Sequence, residues 1–443
     1  MQASSAILLF LLSTGIVASE AQAPPTPASP ARPNPNPSEV AGIPVNYDEA
    51  KVGSYTLPDP LVLNNGKRVR SAKEWFGKRR PEIVELFETQ QYGGAPGRPA
   101  DESFEIVDKG TPALDGKAIR KQVTIHLMKD PAAPKIDLLI YLPANAKKPV
   151  PLLLSINFTA VSNAVDDPGI KPETVWDPKT NTRIPATQSR FFGPTNILPL
   201  LDAGIGYAAF YYGDVDPDYP AGFSNGIRAW YLKPGQKDRA PDEWGSIAAW
   251  AWGMSRAEDY FETDPAVDAK RVAIHGISRL GKTVMWAGAH DQRFAAVIAS
   301  CSGEGGAALS HRDFGETIAH LTAPSRYPYQ FAVNYQKYSG FPDAAPFDAH
   351  MLIALIAPRP VLLQTGSTDN WSDPKGEFLA AVAAGPVYKL LGKDGLDTEI
   401  WPAAKQPILH DIAYYMHDGG HGMVPSDWDI YLQFLKTHLR PEQ

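Results

Sequence analysis

The segment Arg271-Val-Ala-Ile-His-Gly-Ile-Ser-Arg-Leu-Gly-Lys-Thr283 decides the fold class of this chain. It starts with an apolar run typical of a buried strand, turns at Gly276 and Gly281, and continues in residues that favour a helix. A strand followed by a tight turn and a helix is the repeating unit of parallel α/β sheets. Such sheets place ligands beyond the carboxyl ends of their strands, so this turn is a candidate functional site.

Apolar runs on both sides of this segment predict more elements of the same kind. Several of them are nearly continuous, as in strands buried on both faces of a parallel sheet. Trp244–Thr263 and the stretch from Trp428 to Leu439 have apolar residues at helical spacing. Alternating strands and helices predict a doubly wound, mostly parallel α/β sheet in a single domain. The predicted strands are Gln122–Leu127, Ile136–Leu142, Pro151–Phe158, Gly206–Tyr212, Arg271–Gly276, Ala295–Ser300 and Pro360–Thr365.

Composition excludes several classes of protein. The 443 residues include 42 Lys and Arg against 49 Asp and Glu, for a net charge of −7. Nucleic-acid binders usually carry a basic surplus, so this balance argues against a nucleic-acid partner. The single cysteine, Cys301, cannot form an internal disulfide, and none of the ten histidines has a metal-binding spacing such as His-Glu-x-x-His. We therefore expect no metal and no other cofactor.

The first residues indicate export. The apolar run Ala6–Ala18 is short for a membrane span and leads to Ala21-Gln-Ala23, a pattern typical of a cleavable signal peptide. The segment before the apolar run lacks Lys and Arg, so an uncleaved anchor is the alternative. We expect a signal peptide over 1–23, a proline-rich linker over 24–43 and a single domain over 44–443. The mature protein would then be secreted or periplasmic, without membrane contact.

The turn after the strand fits more than one motif. The run 276–283 satisfies the phosphate-binding loop pattern, in which Lys282 would reach a phosphate. The same run fits a nucleophile elbow with Ser278 at its tip, although Leu280 stands where the common elbow has its second glycine. A third interpretation is that the glycines only permit close packing of strand and helix.

The residues farther along the chain favour the elbow. Serine hydrolases of α/β type carry an acid after a later strand and then a histidine near the C-terminus. Asp369 follows a buried strand, and His421 stands in a glycine-rich loop ahead of the final helix. A nucleotide-hydrolysing enzyme would instead place its loop after the first strand. A phosphate-binding-loop enzyme therefore remains an alternative of a different class.

Several stretches together resemble carbohydrate esterase family 15, the glucuronoyl esterases, in its bacterial form. The resemblance implies an α/β-hydrolase fold with three layers, α/β/α. It implies hydrolysis of an ester between glucuronic acid on xylan and a lignin alcohol, without a metal. We expect the protein to act as a monomer. The stretches are Gly276–Lys282, Ser302–Gly306, Phe347–His350, Leu355–Pro360, Asp369–Trp371 and His417–Gly422.

The resemblance also assigns roles around the elbow. Ser278 would attack the ester carbonyl, with His421 as general base and then general acid. Histidine suits both roles because its pKa lies near working pH. Arg279 would stabilise the oxyanion through its backbone N–H and its guanidinium.

Three further residues would contact the substrate. The resemblance assigns the sugar hydroxyls to Lys282 and Glu316, and stacking to Trp371. Without a substrate role, Lys282 and Glu316 would form a surface ion pair, and Trp371 would pack in the core.

The acid of the triad has several candidates. Many family members carry a glutamate at the position that Cys301 occupies here, and a neutral thiol cannot orient an imidazolium. Some bacterial relatives use an aspartate after the later strand, which favours Asp369. Glu304 is the alternative acid, and Asp373 comes third.

Two other functional hypotheses remain open. The chain could be another α/β-hydrolase, such as an acetyl xylan esterase or a peptidase. It could also be an inactive relative that binds carbohydrate, since the acid has moved.

Overall fold

A ten-stranded sheet forms the centre of the molecule in the computed structural model, which describes residues 36–187, 195–236 and 239–439. The predicted signal peptide and most of the predicted linker lie outside the described residues. In chain order the strands are β1 (Glu39–Val40), β2 (Ile43–Pro44), β3 (Ser103–Ala113), β4 (Ala118–His126), β5 (Lys135–Pro143), β6 (Val150–Asn157), β7 (Thr174–Asp177), β8 (Thr182–Pro185), β9 (Gly206–Tyr211), β10 (Val267–Ile277), β11 (Ala296–Ser300), β12 (Val361–Gly366), β13 (Ile408–Leu409) and β14 (Ile412–His417).

The strand order of the sheet is β13-β14-β12-β11-β10-β6-β9-β5-β4-β3. The six strands from β14 to β9 run parallel, while β13 at one end and β5, β4 and β3 at the other are antiparallel. The interior strands β9, β11 and β12 are buried along their whole length. Burial on both faces explains why these strands read as unbroken apolar runs in the sequence.

Helices cover both faces of the sheet. Among the described residues, α5, α6, α8 and α9 pack into the core of one face, and α3 and α10 pack into the core of the other. The fold is therefore a doubly wound, three-layer α/β/α sandwich, which confirms the predicted fold class. The helices are α1 (Ala72–Glu74), α2 (Arg80–Leu86), α3 (Leu198–Asp202), α4 (Ile227–Trp230), α5 (Ser246–Phe261), α6 (Arg279–His290), α7 (Ile318–Thr322), α8 (Ala349–Ile356), α9 (Pro374–Leu390) and α10 (Asp427–His438).

The structure contains elements that the sequence did not predict. β3 is an edge strand with mostly exposed residues, so it lacks the apolar run that identified its neighbours. β14 is fully buried, but it is six residues long and passes directly into a glycine-rich loop. β1 and β2 pair with each other inside the segment expected to be linker, and Val45 N–H donates to the carbonyl of Ser38 at 3.0 Å. The folded chain therefore begins before residue 44.

The described residues all fall within one compact unit. None of the helices in this part of the chain is both long enough and apolar enough to cross a membrane. The carboxyl ends of β10, β11, β12 and β14 meet at one edge of the sheet, because these strands are parallel neighbours. The segments that follow them carry the residues of the candidate site.

Candidate active site

The turn between β10 and α6 holds Ser278 in a strained backbone conformation. Ser278 has φ 58° and ψ −126°, a region that costs a non-glycine residue about 1–3 kcal/mol. Its N–H donates to the carbonyl of Ser300 at 2.8 Å, which ties the turn to the end of β11. Strain at one serine beyond a central parallel strand is the geometry of a nucleophile elbow.

The position of the second elbow glycine has a physical explanation. A Cβ on Gly281 would lie 2.8 Å from the carbonyl oxygen of Ser300, whereas Leu280 faces the core and is fully buried. A Cβ on Gly276 would lie 2.3 Å from the carbonyl oxygen of Leu280. The residue that approaches the neighbouring strand closely enough to require glycine is therefore residue 281. A leucine at position 280 is thus compatible with the elbow.

The loop after β14 brings His421 to Asp369. His421 Nδ1–H donates to Asp369 Oδ2 at 2.7 Å, and the Asp369 side chain is only 1% exposed. The two loops are joined by backbone hydrogen bonds, from Ser367 N–H to the His417 carbonyl at 2.9 Å and from Thr368 N–H to the Gly419 carbonyl at 2.8 Å. β12 and β14 are parallel neighbours, so the acid and the histidine arrive at the same edge of the sheet.

Ser278 and His421 line the same cleft at the edge of the sheet. Asp369 lies behind the imidazole. Four other residues with predicted roles in the site also line the cleft, namely Arg279, Lys282, Glu316 and Trp371.

The other candidate acids are engaged elsewhere. Glu304 Oε1 accepts hydrogen bonds from Ser310 Oγ at 2.7 Å and Tyr335 OH at 2.9 Å, and burial raises its pKa to about 8. Asp373 caps α9 and accepts a hydrogen bond from Arg312 Nε at 2.8 Å. Of the three carboxylates considered for the triad, the structure brings Asp369 to the imidazole.

Cys301 occupies the wall between the elbow and the histidine loop. It lines the cleft although the residue is only 1% exposed, and its thiol donates to the Gly422 carbonyl at 3.4 Å. Burial and the nearby carboxylate of Asp369 raise the thiol pKa well above its usual value, so the sulfur stays protonated. A neutral thiol of this kind cannot replace the carboxylate of a triad.

Arg279 is fixed by a residue that the sequence analysis missed. Its guanidinium pairs with Asp218, whose side chain is 5% exposed and also accepts hydrogen bonds from Tyr329 OH at 3.0 Å and Gln330 Nε2 at 2.6 Å. Burial disfavours the charge of Arg279, but the carboxylate of Asp218 outweighs it and raises the arginine pKa. Asp218 follows a predicted strand, and its position beyond the strand end was the available signal.

The guanidinium of Arg279 is therefore held in one orientation in the cleft that Ser278 also lines. Its guanidinium carbon lies 4.7 Å from the ring centre of Tyr327, a cation–π distance that restrains it further. The first N–H groups of α6 have no acceptor within the helix. Together they provide donors for an oxyanion on a carbonyl attacked by Ser278.

Lys282 and Glu316 form a buried pair in the wall of the cleft, and not on the surface. Lys282 Nζ lies 3.9 Å from Glu316 Oε2 and donates to the Ser302 carbonyl at 2.7 Å. Burial lowers the lysine pKa, and the charge of Glu316 acts against that shift. Both groups still face the cleft, where sugar hydroxyls could reach them.

Trp371 is half-buried at the rim and not in the core. The guanidinium of Arg326 lies 5.5 Å from its ring centre and donates to Glu316 Oε1 at 2.9 Å. The Trp371 carbonyl accepts from Glu316 N–H at 2.8 Å, so the three residues form one connected wall. Arg326 carries no motif, and nothing in the sequence identified it.

The remaining histidines of interest have structural partners. His275 in β10 is paired with Ser155 Oγ at 3.1 Å, and burial lowers its pKa to about 4. His350 Nε2 donates to the Pro58 carbonyl at 2.8 Å. His417 Nδ1 lies 3.0 Å from Asp427 Oδ2 and 2.9 Å from Gln364 Nε2, and Nε2 donates to the Gly420 carbonyl at 2.9 Å. His417 thus holds the loop that carries His421.

The geometry disfavours the phosphate-binding-loop interpretation. Lys282, which would reach a phosphate, is held by Ser302 and Glu316. Thr283 Oγ1, which would bind magnesium, donates to the Arg279 carbonyl at 2.9 Å. The turn also follows a strand in the middle of the sheet, with several strands before it in the chain.

Known proteins resemble this chain over most of its length. Residues 197–392 match the family model for fungal glucuronyl esterases. A carbohydrate esterase, MZ0003, from an unknown prokaryotic organism is 46% identical over 402 residues, which cover 89% of this chain and 92% of that protein. The glucuronoyl esterase from Solibacter usitatus has a TM-score of 0.83 and 44% identity, covering 88% of this chain and 100% of that one. A promiscuous CE15 esterase from a marine bacterial metagenome has a TM-score of 0.81 and 45% identity, covering 89% and 100%.

Proposed function

The chain belongs to carbohydrate esterase family 15, and we propose that it is a serine esterase that hydrolyses esters of glucuronic acid, including 4-O-methylglucuronic acid. The natural substrate would be the ester that links glucuronoxylan to lignin. The observation that supports this best is the 2.7 Å hydrogen bond between His421 and Asp369, in a cleft that Ser278 also lines.

In the first half of the reaction, Ser278 Oγ attacks the ester carbonyl and its proton moves to His421 Nε2. Asp369 holds the opposite nitrogen and stabilises the imidazolium. The oxyanion of the tetrahedral intermediate is bound at Arg279, which Asp218 keeps in place. The intermediate expels the alcohol, which takes the proton from His421 and leaves a glucuronoyl ester on Ser278.

In the second half, a water molecule replaces the alcohol. His421 takes a proton from the water as its oxygen attacks the acyl carbon, and the same oxyanion site is used again. The proton returns to Ser278 Oγ when the carbon–oxygen bond breaks. Free glucuronate leaves, and no metal or other cofactor takes part in this scheme.

The polar wall of the cleft favours a sugar-bearing acyl group over a plain acyl group. Lys282 and Glu316 offer charge-assisted hydrogen bonds to sugar hydroxyls, and Trp371 offers an aromatic face beside them. An acetyl group has no hydroxyl groups for this wall to bind. The wall therefore provides binding that only a sugar-bearing acid would use.

The test compares kcat/KM on methyl glucuronate with kcat/KM on 4-nitrophenyl acetate. We expect a preference for the uronate, and a loss of about 10⁶ in kcat for Ser278→Ala on both substrates. Glu316→Gln should raise KM for the uronate and leave the acetate rate nearly unchanged. The uronate assignment would be contradicted if the enzyme preferred the acetate and Glu316→Gln left that preference unchanged. This outcome would favour an acetyl xylan esterase.

We also propose that the protein is exported, with cleavage near Ala23. This rests on the sequence of the apolar run Ala6–Ala18 and the small residues that follow it. Expression of the full chain followed by mass spectrometry of the purified protein should give an N-terminus near Pro24. An intact N-terminus on protein recovered from the cell interior would contradict the proposal.

A further inference from the structure

We propose that Cys301, Asp369 and His421 form a binding site for a thiophilic divalent cation such as Zn²⁺. We further propose that occupation of this site blocks the esterase. The binding stands on the geometry alone, whereas the inhibition rests on the proposed function.

The three side chains have the donor atoms and the spacing that zinc requires. The thiol sulfur, one carboxylate oxygen and one imidazole nitrogen all lie within 4.8 Å of one another. Bonds of about 2.0–2.3 Å to a tetrahedral Zn²⁺ would hold such atoms about 3.3–3.7 Å apart. Movements of about an ångström would therefore close the site. A sulfur, a nitrogen and an oxygen form a ligand set that suits zinc and disfavours magnesium.

An unpaired carboxylate oxygen of Asp369 is an independent indication that a cation binds here. Its Oδ2 atom accepts from His421, but Oδ1 is buried and has no hydrogen-bond partner among the described residues. A buried carboxylate oxygen without a partner is costly, and a bound cation would compensate for it. The carboxylate is close enough to Cys301 to affect the ionisation of its thiol.

The surroundings of Cys301 support a metal-bound thiolate. Gly422 N–H donates to the sulfur at 3.5 Å, the kind of outer contact that orients metal ligands. Both Cys301 and His421 line the cleft, which gives an ion a path from solvent and leaves room for water as a further ligand. Binding would release the thiol proton to solvent.

Occupation of the site would stop the reaction whichever nitrogen of His421 binds the ion. A bond through Nε2 removes the atom that takes the proton from Ser278. A bond through Nδ1 breaks the hydrogen bond to Asp369 that orients the ring. In both cases the imidazole can no longer act as a general base.

The first test measures binding without a substrate. Chelator-treated full-length protein is titrated with Co²⁺, which replaces Zn²⁺ and absorbs in the near ultraviolet when a thiolate is bound. We expect this absorption in the wild type and its loss in Cys301→Ser, a change that keeps the size of the side chain. Absence of thiolate absorption in the wild type would overturn the proposed site.

The second test measures inhibition, with each variant compared to its own metal-free rate. Zn²⁺ should inhibit the wild type, and Cys301→Ser should need at least about tenfold more Zn²⁺ for half inhibition. Mg²⁺ should have no effect on either. His290→Asn removes an exposed histidine that pairs with Glu88 at 2.9 Å, and it should respond like the wild type.

The outcomes separate the two proposals. Equal sensitivity of the wild type and Cys301→Ser to Zn²⁺ would overturn inhibition through this site. Loss of inhibition in His290→Asn would show that the ion acts from the surface. This result would also contradict inhibition through the site at Cys301. A protein that binds Co²⁺ through its thiolate but hydrolyses no uronate ester would support the metal site and refute the proposed function.

Discussion

Single residues decide the chemistry at the edge of the sheet. His421 meets Asp369 because two parallel neighbouring strands end side by side, and Ser278 is presented by the strained turn after β10. The resemblance places an acid at position 301 in many family members, whereas here the carboxylate that contacts the imidazole follows the neighbouring strand β12. The role of Asp369 as the triad acid is therefore the first claim to test.

Replacement of Asp369 by Asn should reduce kcat by about 10⁴, because the amide favours the wrong tautomer of His421. Glu304→Gln should keep most of the activity, since the amide oxygen can still accept from Ser310 and Tyr335. Steady-state rates on methyl glucuronate check both variants. A severe loss in Glu304→Gln together with a mild loss in Asp369→Asn would reassign the acid.

Asp218 should act on the reaction through Arg279. Asp218→Asn removes the charge that fixes the guanidinium, so kcat should fall by about 10–10² while KM changes little. Tyr329→Phe is the matched control, because it removes one hydrogen bond to Asp218 and leaves the carboxylate in place. A purely structural role would instead lower the melting temperature and leave kcat of the folded enzyme unchanged.

At the scale of elements, the loop between β14 and α10 depends on His417. His417 Nδ1 lies 3.0 Å from Asp427 Oδ2 and 2.9 Å from Gln364 Nε2, and its Nε2 lies 2.9 Å from the Gly420 carbonyl. Burial disfavours its charge, but the hydrogen bond and charge of Asp427 outweigh burial and raise the pKa. The pair thus stabilises the loop most while the imidazole is protonated.

The pH dependence of this pair has a definite sign. A raised folded-state pKa gives stabilisation that is complete below the unfolded pKa of about 6.5 and is lost as pH rises through the folded value. The melting temperature of the wild type should therefore exceed that of His417→Asn most at acidic pH, and the gap should narrow in alkaline buffer. A gap that widens with pH would contradict the protonated state of His417.

Elements in the middle of the sheet could be predicted from the sequence, while those at its edges could not. Strands β6, β9, β11 and β12 are buried on both faces, and their apolar runs gave bounds within one or two residues of those observed. The edge strand β3 is largely exposed, so its sequence has neither an apolar run nor an apolar face that would indicate a strand. The hairpin of β7 and β8 has no buried residue and left no hydrophobic pattern.

The residues of the candidate site also divide into those that the sequence predicts and those that it does not. Ser278, Asp369 and His421 stand in motifs or directly after strands, where sequence reasoning can find them. Asp218 and Arg326 act through contacts between segments that are far apart in the chain. Such contacts depend on the assembled fold, and no local pattern reveals them.

At the scale of the whole molecule, buried carboxyl groups affect how the free energy of unfolding depends on pH. Burial raises the pKa of Glu304 and Glu377 to about 8 and that of Glu258 to about 9. An acid with a raised folded-state pKa binds its proton more tightly when folded, so the free energy of unfolding falls as pH rises from the unfolded pKa to the folded one. Together these groups make the folded state weaker in alkaline buffer.

We therefore expect the melting temperature to fall steadily between pH 5 and about pH 9. The double variant Glu304→Gln/Glu377→Gln should flatten this fall, because glutamine resembles the protonated acid. Glu399→Gln changes an exposed side chain and should leave the slope unchanged. A slope that is the same in the double variant and the wild type would show that these two carboxyls ionise freely in the folded protein.

The central claim is that Ser278 becomes acylated by a glucuronic acid ester. The most direct measurement is intact-protein mass spectrometry after rapid acid quenching of the enzyme with excess methyl glucuronate, followed by peptide mapping. The account predicts one glucuronoyl adduct, located on Ser278 and absent from Ser278→Ala. An adduct on another residue, or undiminished turnover of the ester by Ser278→Ala, would contradict it.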